Sequence, residues 1–469
     1  PPHITGGLAT ACAGLCEGLA HAGAEVTFVV PRAFGDEDQR FARVLGCNDI
    51  EVEQEVVEEE LVAVERSVPG GAFEGARVAE HRAAPRASFV RPLERALAPS
   101  SYATPAEYAR WLASITEKRD ATPEEAEFVE ELRAELVTLA PRTERVLERV
   151  ERRRRAKRTL HFSGVYGPDL FAEVARYALC VAELAARESF DIVHAHDWMT
   201  YPAGAVAARA LGKPLVAHMH ACEYDRSGEH PDERIRAIEQ SGFDAAARIV
   251  CVSHYTAGVL RRRYRVDESK LRVVHNAVTR KEQAERLDGA KLVREPIVLF
   301  LGRVTFQKGP DYFLEAAQRV VAVEPRVKFV MVGSGDMLPR MIERAARMGL
   351  ARHVHFTGFL KGDDVERIYS MADIYVMPSV SEPFGISPLE ALALDVPVIV
   401  SRQSGVSEVL RNALKVDFWD VQEIANKILA LLRRPALREH LVDSGREELR
   451  AMSWDERART LRDVYAEVL

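Results

Sequence analysis

The sequence predicts an α/β protein built from two doubly wound domains that face each other. Short apolar runs, typical of buried parallel strands, alternate with helical patterns in both halves of the chain. Several of these runs end in His, Asp or Ser, and in such sheets ligands bind at the carboxyl ends of the strands. The polar stretch 277–295 lacks a strand pattern and separates the two halves, which indicates an interdomain linker.

Composition narrows the possible classes of function. The 469 residues, 47% hydrophobic and 29% charged, are enough for about two or three ordinary domains. A net charge of −7 argues against nucleic-acid binding. The six cysteines have neither disulfide-framework nor zinc-ligand spacing, which is typical of reduced thiols in the cytoplasm. The sequence has no apolar run long enough to span a bilayer, so we expect a cytoplasmic protein without stable membrane insertion.

The chain begins with a glycine pair in front of an apolar helix pattern. Gly6 and Gly7 precede this helix, and a strand at 25–30 follows it. A glycine pair at a helix N-terminus lets a phosphate approach the backbone, although a structural turn explains the pair equally well. We expect the strand that should precede the glycines to lie upstream of this numbering.

Two charged segments interrupt the first domain. Residues 51–60 are acidic with interleaved valines and predict an exposed strand. From about 103 to 158, Glu, Arg, Ala and Leu recur at helical spacing and predict a helical insertion. The basic residues at its end, 152–158, favour the interpretation of a solvent-exposed helix face over that of an anion-binding site.

The remaining strands of the first domain carry polar residues at their carboxyl ends. Strands are predicted at 190–194, 213–218, 247–253 and 271–276. Asp197 follows the first of these strands, and His220 follows the second. Because parallel strands end at the same edge of a sheet, we expect both residues at the cleft.

The central motif of the second domain is Glu382-Pro383-Phe384-Gly385-Ile386-Ser387-Pro388-Leu389-Glu390. It predicts a glycine turn between a buried strand at 373–378 and the start of a helix. Such a turn offers backbone N–H groups to an anion, and the motif places a carboxylate at each end of it. An ordinary alternative is a capping box, in which Glu390 bonds only the Ser387 backbone.

Two cations follow the first strand of the second domain. Arg303 and Lys308 lie on one loop, and a planar guanidinium with a compact ammonium could clamp a diphosphate. Two unrelated surface cations are the alternative. Gly333-Ser334-Gly335 ends the next strand but lacks the third glycine of a dinucleotide fingerprint, so a nicotinamide cofactor is poorly supported.

Together these segments resemble the family-4 retaining glycosyltransferases with the GT-B fold, most nearly their glycogen and starch synthase branch. The resemblance rests on Gly6-Gly7, His196-Asp197-Trp198, Val274-His275-Asn276, Gly302-Arg303 with Gln307-Lys308-Gly309, Val332-Gly333-Ser334-Gly335, and Glu382-Pro383-Phe384-Gly385 with Glu390.

The resemblance implies a domain organisation with two Rossmann-like domains. An acceptor-side domain at 1–277 contains the helical insertion, and a linker follows at 278–295. A nucleotide-sugar-binding domain occupies 296–450. A C-terminal helix at 451–469 crosses back to the first domain.

The resemblance also implies roles for single residues. Glu390 would hold the ribose hydroxyls, Arg303 and Lys308 the diphosphate, Glu382 and His220 the transferred sugar, with Asp197 a weaker candidate in the same cleft. The remaining donor-binding residues are the backbone of Phe384, Gly385, Ile386 and Ser387, together with Gly6, Gly7 and Gly333. Neither a metal nor a cofactor is expected, because the two cations can neutralise the diphosphate and the donor domain has no Asp-x-Asp.

The expected reaction is transfer of glucose from UDP-glucose or ADP-glucose to an α-glucan. One position departs from the branch: bacterial glycogen synthases carry Lys where this chain has Ile4. Donor and acceptor therefore stay open. The alternatives are a sugar-nucleotide epimerase of the same fold, a glycosyltransferase with a small-molecule or lipid acceptor, and a non-catalytic glycan-binding protein.

Overall fold

The computed structural model describes residues 7–67, 80–82, 86–88, 143–160, 162, 170–278 and 294–469. Three of the sequence predictions lie outside these ranges. They concern Gly6 with its preceding strand, residues 103–142 of the insertion, and 279–293 of the linker.

The secondary structure follows the predicted alternation of strands and helices. The strands are β1 (Thr27–Val30), β2 (Arg43–Gly46), β3 (Glu51–Ser67), β4 (Glu80–Arg82), β5 (Arg86–Ser88), β6 (Thr143–Thr159), β7 (Val193–His196), β8 (Leu215–Met219), β9 (Arg248–Cys251), β10 (Leu271–Val273), β11 (Ile297–Leu301), β12 (Lys328–Val332), β13 (Val354–Gly358), β14 (Ile374–Met377), β15 (Val398–Ser401) and β16 (Leu414–Val416). The α-helices are α1 (Gly7–His21), α2 (Leu170–Ala185), α3 (Tyr201–Leu211), α4 (Glu223–Ser227), α5 (Glu233–Ala245), α6 (His254–Arg263), α7 (Pro310–Val321), α8 (Leu338–Arg347), α9 (Asp363–Met371), α10 (Ser387–Ala393), α11 (Val406–Val409), α12 (Val421–Arg433), α13 (Pro435–Arg450) and α14 (Trp454–Ala466).

The second domain is a parallel sheet with strand order β13-β12-β11-β14-β15-β16. Its central strands β11 and β14 consist of apolar and aromatic residues and are buried except at Leu301, because helices cover both faces. The order reverses between β11 and β14, so the loops after these two strands diverge and leave a crevice between them. The first loop carries Arg303 and Lys308, and the second carries Glu382. The fold therefore brings the predicted cations and carboxylate to one crevice.

The first domain has a parallel sheet with strand order β10-β9-β8-β7, and β1 pairs with β2 in parallel beside it. The register places His196, the last residue of β7, opposite His218 of β8. Both strands end at the same edge, where Asp197 and His220 follow them. The α/β fold predicted from the sequence is confirmed by these two parallel sheets.

The C-terminal helix α14 packs on α1 of the first domain. Gly14 and Gly18 make room for Trp454, since a Cβ on Gly14 would lie 2.3 Å from the indole ring and one on Gly18 would lie 2.6 Å from the Trp454 carbonyl oxygen. His21 Nδ1 lies 2.9 Å from Asp455 Oδ1. The chain thus returns from the second domain and closes against the first.

The prediction of a helical insertion is wrong for residues 143–158. This segment is strand β6, which pairs with β3 antiparallel along its full length. The register sets acidic positions of β3 opposite basic positions of β6, as with Glu53 opposite Lys157 and Glu55 opposite Arg155. Opposite charges at facing positions favour antiparallel pairing. The helical spacing of residues in β6 gives no sign that a segment of complementary charge, β3, lies far away in the sequence and pairs with it. The acidic strand predicted at 51–60 is confirmed as part of β3.

Among the helices of the described ranges, we find none with the length and apolar character needed to cross a membrane.

Candidate active site

The turn after β14 is shaped by a glycine. Gly385 has φ 97°, in the left-handed region that favours glycine, and a Cβ there would lie 3.2 Å from Glu382 Cγ. Helix α10 then starts at Ser387 with Pro388 in its first turn. The cap residue is Ile386, whose side chain makes no capping bond, so the capping-box alternative is wrong.

Glu382 is almost fully buried and forms an ion pair with Lys308 Nζ. Ser379 Oγ donates a second hydrogen bond to the same carboxylate oxygen at 3.2 Å. The backbone of Glu382 is also fixed, because its N–H donates to the Gln403 carbonyl at 2.9 Å and its carbonyl accepts from Gly405 N–H at 3.0 Å. The carboxylate is therefore held in one position at the crevice, with a cation beside it.

Arg303 stands at the opposite end of the same loop and is exposed. It forms no ion pair with any residue in the described part of the chain. The backbone beneath it is tightly packed, since a Cβ on Gly333 (φ 136°) would lie 1.8 Å from the Gly302 carbonyl oxygen. Glycine is thus required at position 333 for the close approach of the ends of β11 and β12. Because Arg303 has no ion-pair partner among the described residues, its guanidinium is available to bind an anion.

Glu390 lies one turn into α10. Tyr369 donates its hydroxyl to Glu390 Oε2 at 3.2 Å, and burial raises the pKa of the Glu390 carboxyl group. Tyr375 donates to Ser387 Oγ at 2.7 Å, which anchors the first residue of the helix. The two tyrosines hold α10 and its carboxylate against the sheet.

Four histidines meet at the cleft edge of the first sheet. The rings of His218 and His220 stack with their centroids 4.2 Å apart, and those of His194 and His196 with centroids 4.4 Å apart. His196 Nδ1 lies 2.9 Å from His220 Nε2. Burial lowers the pKa of His196 and of His220 to about 3, so both rings are neutral at pH 7.

Asp197 binds the backbone at His220. It is buried, has φ 59°, and its Oδ1 accepts from the backbone N–H of His220 at 2.7 Å and of Ala221 at 3.3 Å. Its Oδ2 pairs with Arg226 Nη2 at 3.4 Å. Asp197 thus fixes the backbone at His220. The sequence placed both residues at the cleft but did not separate their functions.

The first domain forms hydrogen bonds with the loop that carries Glu382. Ser253 Oγ donates to the Pro383 carbonyl at 2.5 Å, and Thr256 Oγ1 donates to it at 3.2 Å. Ser381 Oγ donates to Asp225 Oδ1 at 2.5 Å from the other side of the loop. These contacts place the two domains against each other at the crevice.

A further contact caps α6 from the second domain. Glu408 accepts from the backbone N–H of His254 at 2.9 Å and of Tyr255 at 2.5 Å, and its Oε2 lies 3.0 Å from His275 Nε2. A carboxylate at a helix N-terminus is stabilising. Sequence reasoning missed Glu408 and Ser381, and only the position of Ser253 directly after a strand could have drawn attention to this contact.

Gly7 has no steric need to be glycine, because a Cβ there would meet nothing within 4 Å among the described residues. It is the first residue of α1. Its expected phosphate contact stays a prediction.

Comparisons with known proteins agree with the fold. Residues 282–448 match the family described as Glycosyl transferases group 1, and residues 125–282 match Glycosyltransferase Family 4. An uncharacterized glycosyltransferase of Methanocaldococcus jannaschii is 30% identical over 295 residues, which cover 59% of this chain and 75% of that protein. A D-inositol 3-phosphate glycosyltransferase of Salinispora arenicola is 30% identical over 310 residues, 60% of this chain and 69% of that protein.

Two solved structures share the fold. Sucrose-phosphate synthase from Thermosynechococcus elongatus has a TM-score of 0.57 and 24% identity, over 65% of this chain and 81% of that one. Anabaena HepE in complex with UDP and glucose has a TM-score of 0.54 and 18% identity, over 64% of this chain and 82% of that one. These relatives are not glycogen or starch synthases, so that branch stays a prediction. With both family matches and the archaeal relative in agreement, the chain belongs to the family-4 glycosyltransferases of the GT-B type.

Proposed function

We propose that this enzyme transfers glucose from a nucleoside diphosphate glucose to an acceptor hydroxyl, with retention of the anomeric configuration. The observation that carries the proposal is the Lys308–Glu382 ion pair at the crevice where the strand order of the second sheet reverses. Ligands of open α/β sheets bind at such crevices. UDP-glucose and ADP-glucose are the two donors that we propose.

The cations act on the leaving group. As the bond between the sugar C1 and the diphosphate oxygen breaks, negative charge grows on the diphosphate and positive charge on the sugar ring. Arg303 is free to pair with the diphosphate, and Lys308 can share its charge between the diphosphate and Glu382. The backbone of 384–387 follows β14 at the same crevice and leads into α10. Glu390 lies within the first turn of α10, where it can accept hydrogen bonds from the ribose hydroxyls.

The carboxylate and the imidazole act on the sugar. Glu382 is fixed by its backbone and by Ser379, so it can accept a hydrogen bond from a sugar hydroxyl without reorganising. His220 is neutral, and its Nε2 faces His196 while Asp197 fixes its backbone. Its other ring nitrogen is left for the substrate. The grip of Ser253 on Pro383 keeps the domains together, which excludes water during transfer.

Two acceptor classes are proposed. The first is an α-glucan, which follows from the motifs shared with the glycogen and starch synthase branch. The second is a small phosphorylated polyol, which is favoured by the similarity to proteins named D-inositol 3-phosphate glycosyltransferase.

The test uses the full chain with UDP-glucose or ADP-glucose, incubated alone, with a maltooligosaccharide, or with D-inositol 3-phosphate. We expect nucleoside diphosphate release that depends on one acceptor, and an α-linked product by NMR. Glu382→Gln should abolish this release. Glu343→Gln is the matched control, because Glu343 is exposed on α8 and pairs only with Arg347 among the described residues. Release without any acceptor, or interconversion of the donor sugar, would favour hydrolysis or epimerisation instead.

A further inference from the structure

We propose that Cys12, His196 and His220 form a binding site for a thiophilic divalent metal ion such as Zn²⁺, and that occupancy of this site inhibits transfer. The inhibition rests on the proposed function, because it requires His220 to serve the donor sugar. The binding itself does not.

Three separate elements bring the ligands together. Cys12 lies on α1, His196 ends β7, and His220 follows β8. One ligand atom from each residue lies within 4.8 Å of the other two. A tetrahedral Zn²⁺ at about 2.0–2.3 Å from N and S ligands needs those atoms about 3.3–3.8 Å apart. The ligand atoms therefore need to approach one another by at most about 1.5 Å.

The donor set selects the kind of metal. One sulfur and two imidazoles suit Zn²⁺, Co²⁺ or Cu⁺ and do not suit Mg²⁺ or Ca²⁺, which prefer oxygen. The imidazoles are neutral and can coordinate without losing a proton. Metal binding converts the Cys12 thiol to a thiolate and releases its proton.

A further imidazole stands behind these ligands. His218 is fully buried, and its Nε2 has no hydrogen-bond partner among the described residues. Its ring stacks on His220, and with His194 and His196 it forms a second trio of adjacent nitrogen atoms. An unpartnered buried nitrogen costs free energy, and this one lies on the ring that stacks against the proposed ligand His220. Asp197 acts electrostatically on Cys12, although its charge is shared with Arg226.

A bound ion would oppose transfer mainly through its charge. A bound ion would replace the hydrogen bond between His196 Nδ1 and His220 Nε2 with two metal bonds. It would place a positive charge beside the sugar C1, where the transition state is itself positive. The ion would also tie α1 to the sheet edge.

The binding experiment uses the full chain, treated with a chelator and titrated with Zn²⁺ or Co²⁺ alone. We expect one high-affinity ion per chain and a thiolate-to-Co²⁺ charge-transfer absorption. Cys12→Ser should remove that absorption and weaken Zn²⁺ binding by about tenfold or more. Cys16→Ser, one turn further along α1, is the matched control and should retain both.

A second control addresses the other candidate trio, His254, His275 and Glu408. His254→Asn should leave Zn²⁺ binding unchanged. Loss of binding in this variant, or a Co²⁺ complex of the unsubstituted chain without thiolate absorption, would overturn the proposed site. The second result needs no variant, so a folding defect in Cys12→Ser cannot obscure the answer.

The inhibition experiment compares transfer with and without Zn²⁺ for each protein. We expect Zn²⁺ to inhibit transfer reversibly in the unsubstituted chain and in Cys16→Ser. The ratio of the transfer rate without Zn²⁺ to the rate with Zn²⁺ should be much smaller for Cys12→Ser. Binding without inhibition would overturn the inhibitory role but keep the site. Absence of transfer under all conditions would contradict the proposed function while the binding titration still decides the metal site.

Discussion

Ser253 Oγ donates to the carbonyl oxygen of Pro383 at 2.5 Å, so a hydroxyl from the first domain is bonded to the residue next to Glu382. Gly405 permits this approach, because a Cβ there would lie 2.4 Å from Ser253 Cβ and 2.3 Å from the Pro383 carbonyl oxygen. The position of the candidate catalytic carboxylate is thus coupled to domain contact.

Ser253→Ala should lower kcat/KM for transfer. Among the described residues, the Pro383 carbonyl would keep the longer bond from Thr256. A buried hydrogen bond lost in this way costs about 1–3 kcal/mol, equivalent to about a 5- to 160-fold change. Steady-state kinetics measure the effect. Ser370→Ala is the control, since its hydroxyl bonds the Glu366 carbonyl on α9, away from the domain contact. Equal kinetics for both variants would disconnect the contact from catalysis.

Lys308→Met and Arg303→Met should differ in their effect on stability. Removing Lys308 leaves the buried Glu382 carboxylate without its cation, so we expect the melting temperature to fall by about 5 °C. Arg303 is exposed and lacks an ion-pair partner within the described ranges, so its removal should weaken nucleoside diphosphate binding without that loss. Calorimetry and thermal unfolding measure both quantities. A reversed order would mean that Arg303, not Lys308, supports the fold.

Gly333→Ala should destabilise the second domain. The added Cβ would collide with the Gly302 carbonyl at 1.8 Å, and φ 136° is strained for alanine, so we expect a loss of about 3 kcal/mol or more in the free energy of unfolding. Gly258→Ala is the control, because in α6 its Cβ would meet only the Arg262 side chain, at 3.2 Å. Denaturant unfolding compares the two, and similar stabilities would show that the loops at the crevice can separate.

The buried histidines should make the protein sensitive to acid. Their pKa values are lower in the folded chain than the ordinary value of 6.5, for His196 and His220 about 3. The unfolded chain therefore takes up more protons below pH 6.5, and stability is lost as pH falls from there towards 3. Ring NMR signals of both residues should not titrate between pH 5 and 8, and melting temperatures should drop steadily below about pH 6.5. Midpoints near 6.5 would show that these rings are solvated.

Local sequence patterns predicted the fold and the two loops of the second domain that form the candidate site. The apolar strands, the glycine turn at Gly385 and the loop with Arg303 and Lys308 each lie within a short stretch, so spacing reveals them. The ion pair of Lys308 with Glu382 depends on the strand order of the sheet, and spacing says nothing about it. The position of Cys12 beside two histidines arises in the same way, from three elements far apart in sequence.

The strand β6 shows a different limit. Its apolar residues Val146, Leu147 and Val150 are compatible with a helix. Only the register with β3 shows that four of its basic residues are opposite acidic ones: Arg145, Arg152, Arg155 and Lys157. Pairing between segments about ninety positions apart is a tertiary effect that overrides local propensity. The contacts made by Glu408 and Ser381 are tertiary for the same reason.

The most direct test is a crystal structure of the full chain with UDP-glucose or ADP-glucose bound. We expect the diphosphate between Arg303, Lys308 and the backbone of 384–387, with the glucose between Glu382 and His220. A donor bound outside the crevice between the loops after β11 and β14 would contradict the proposed mechanism.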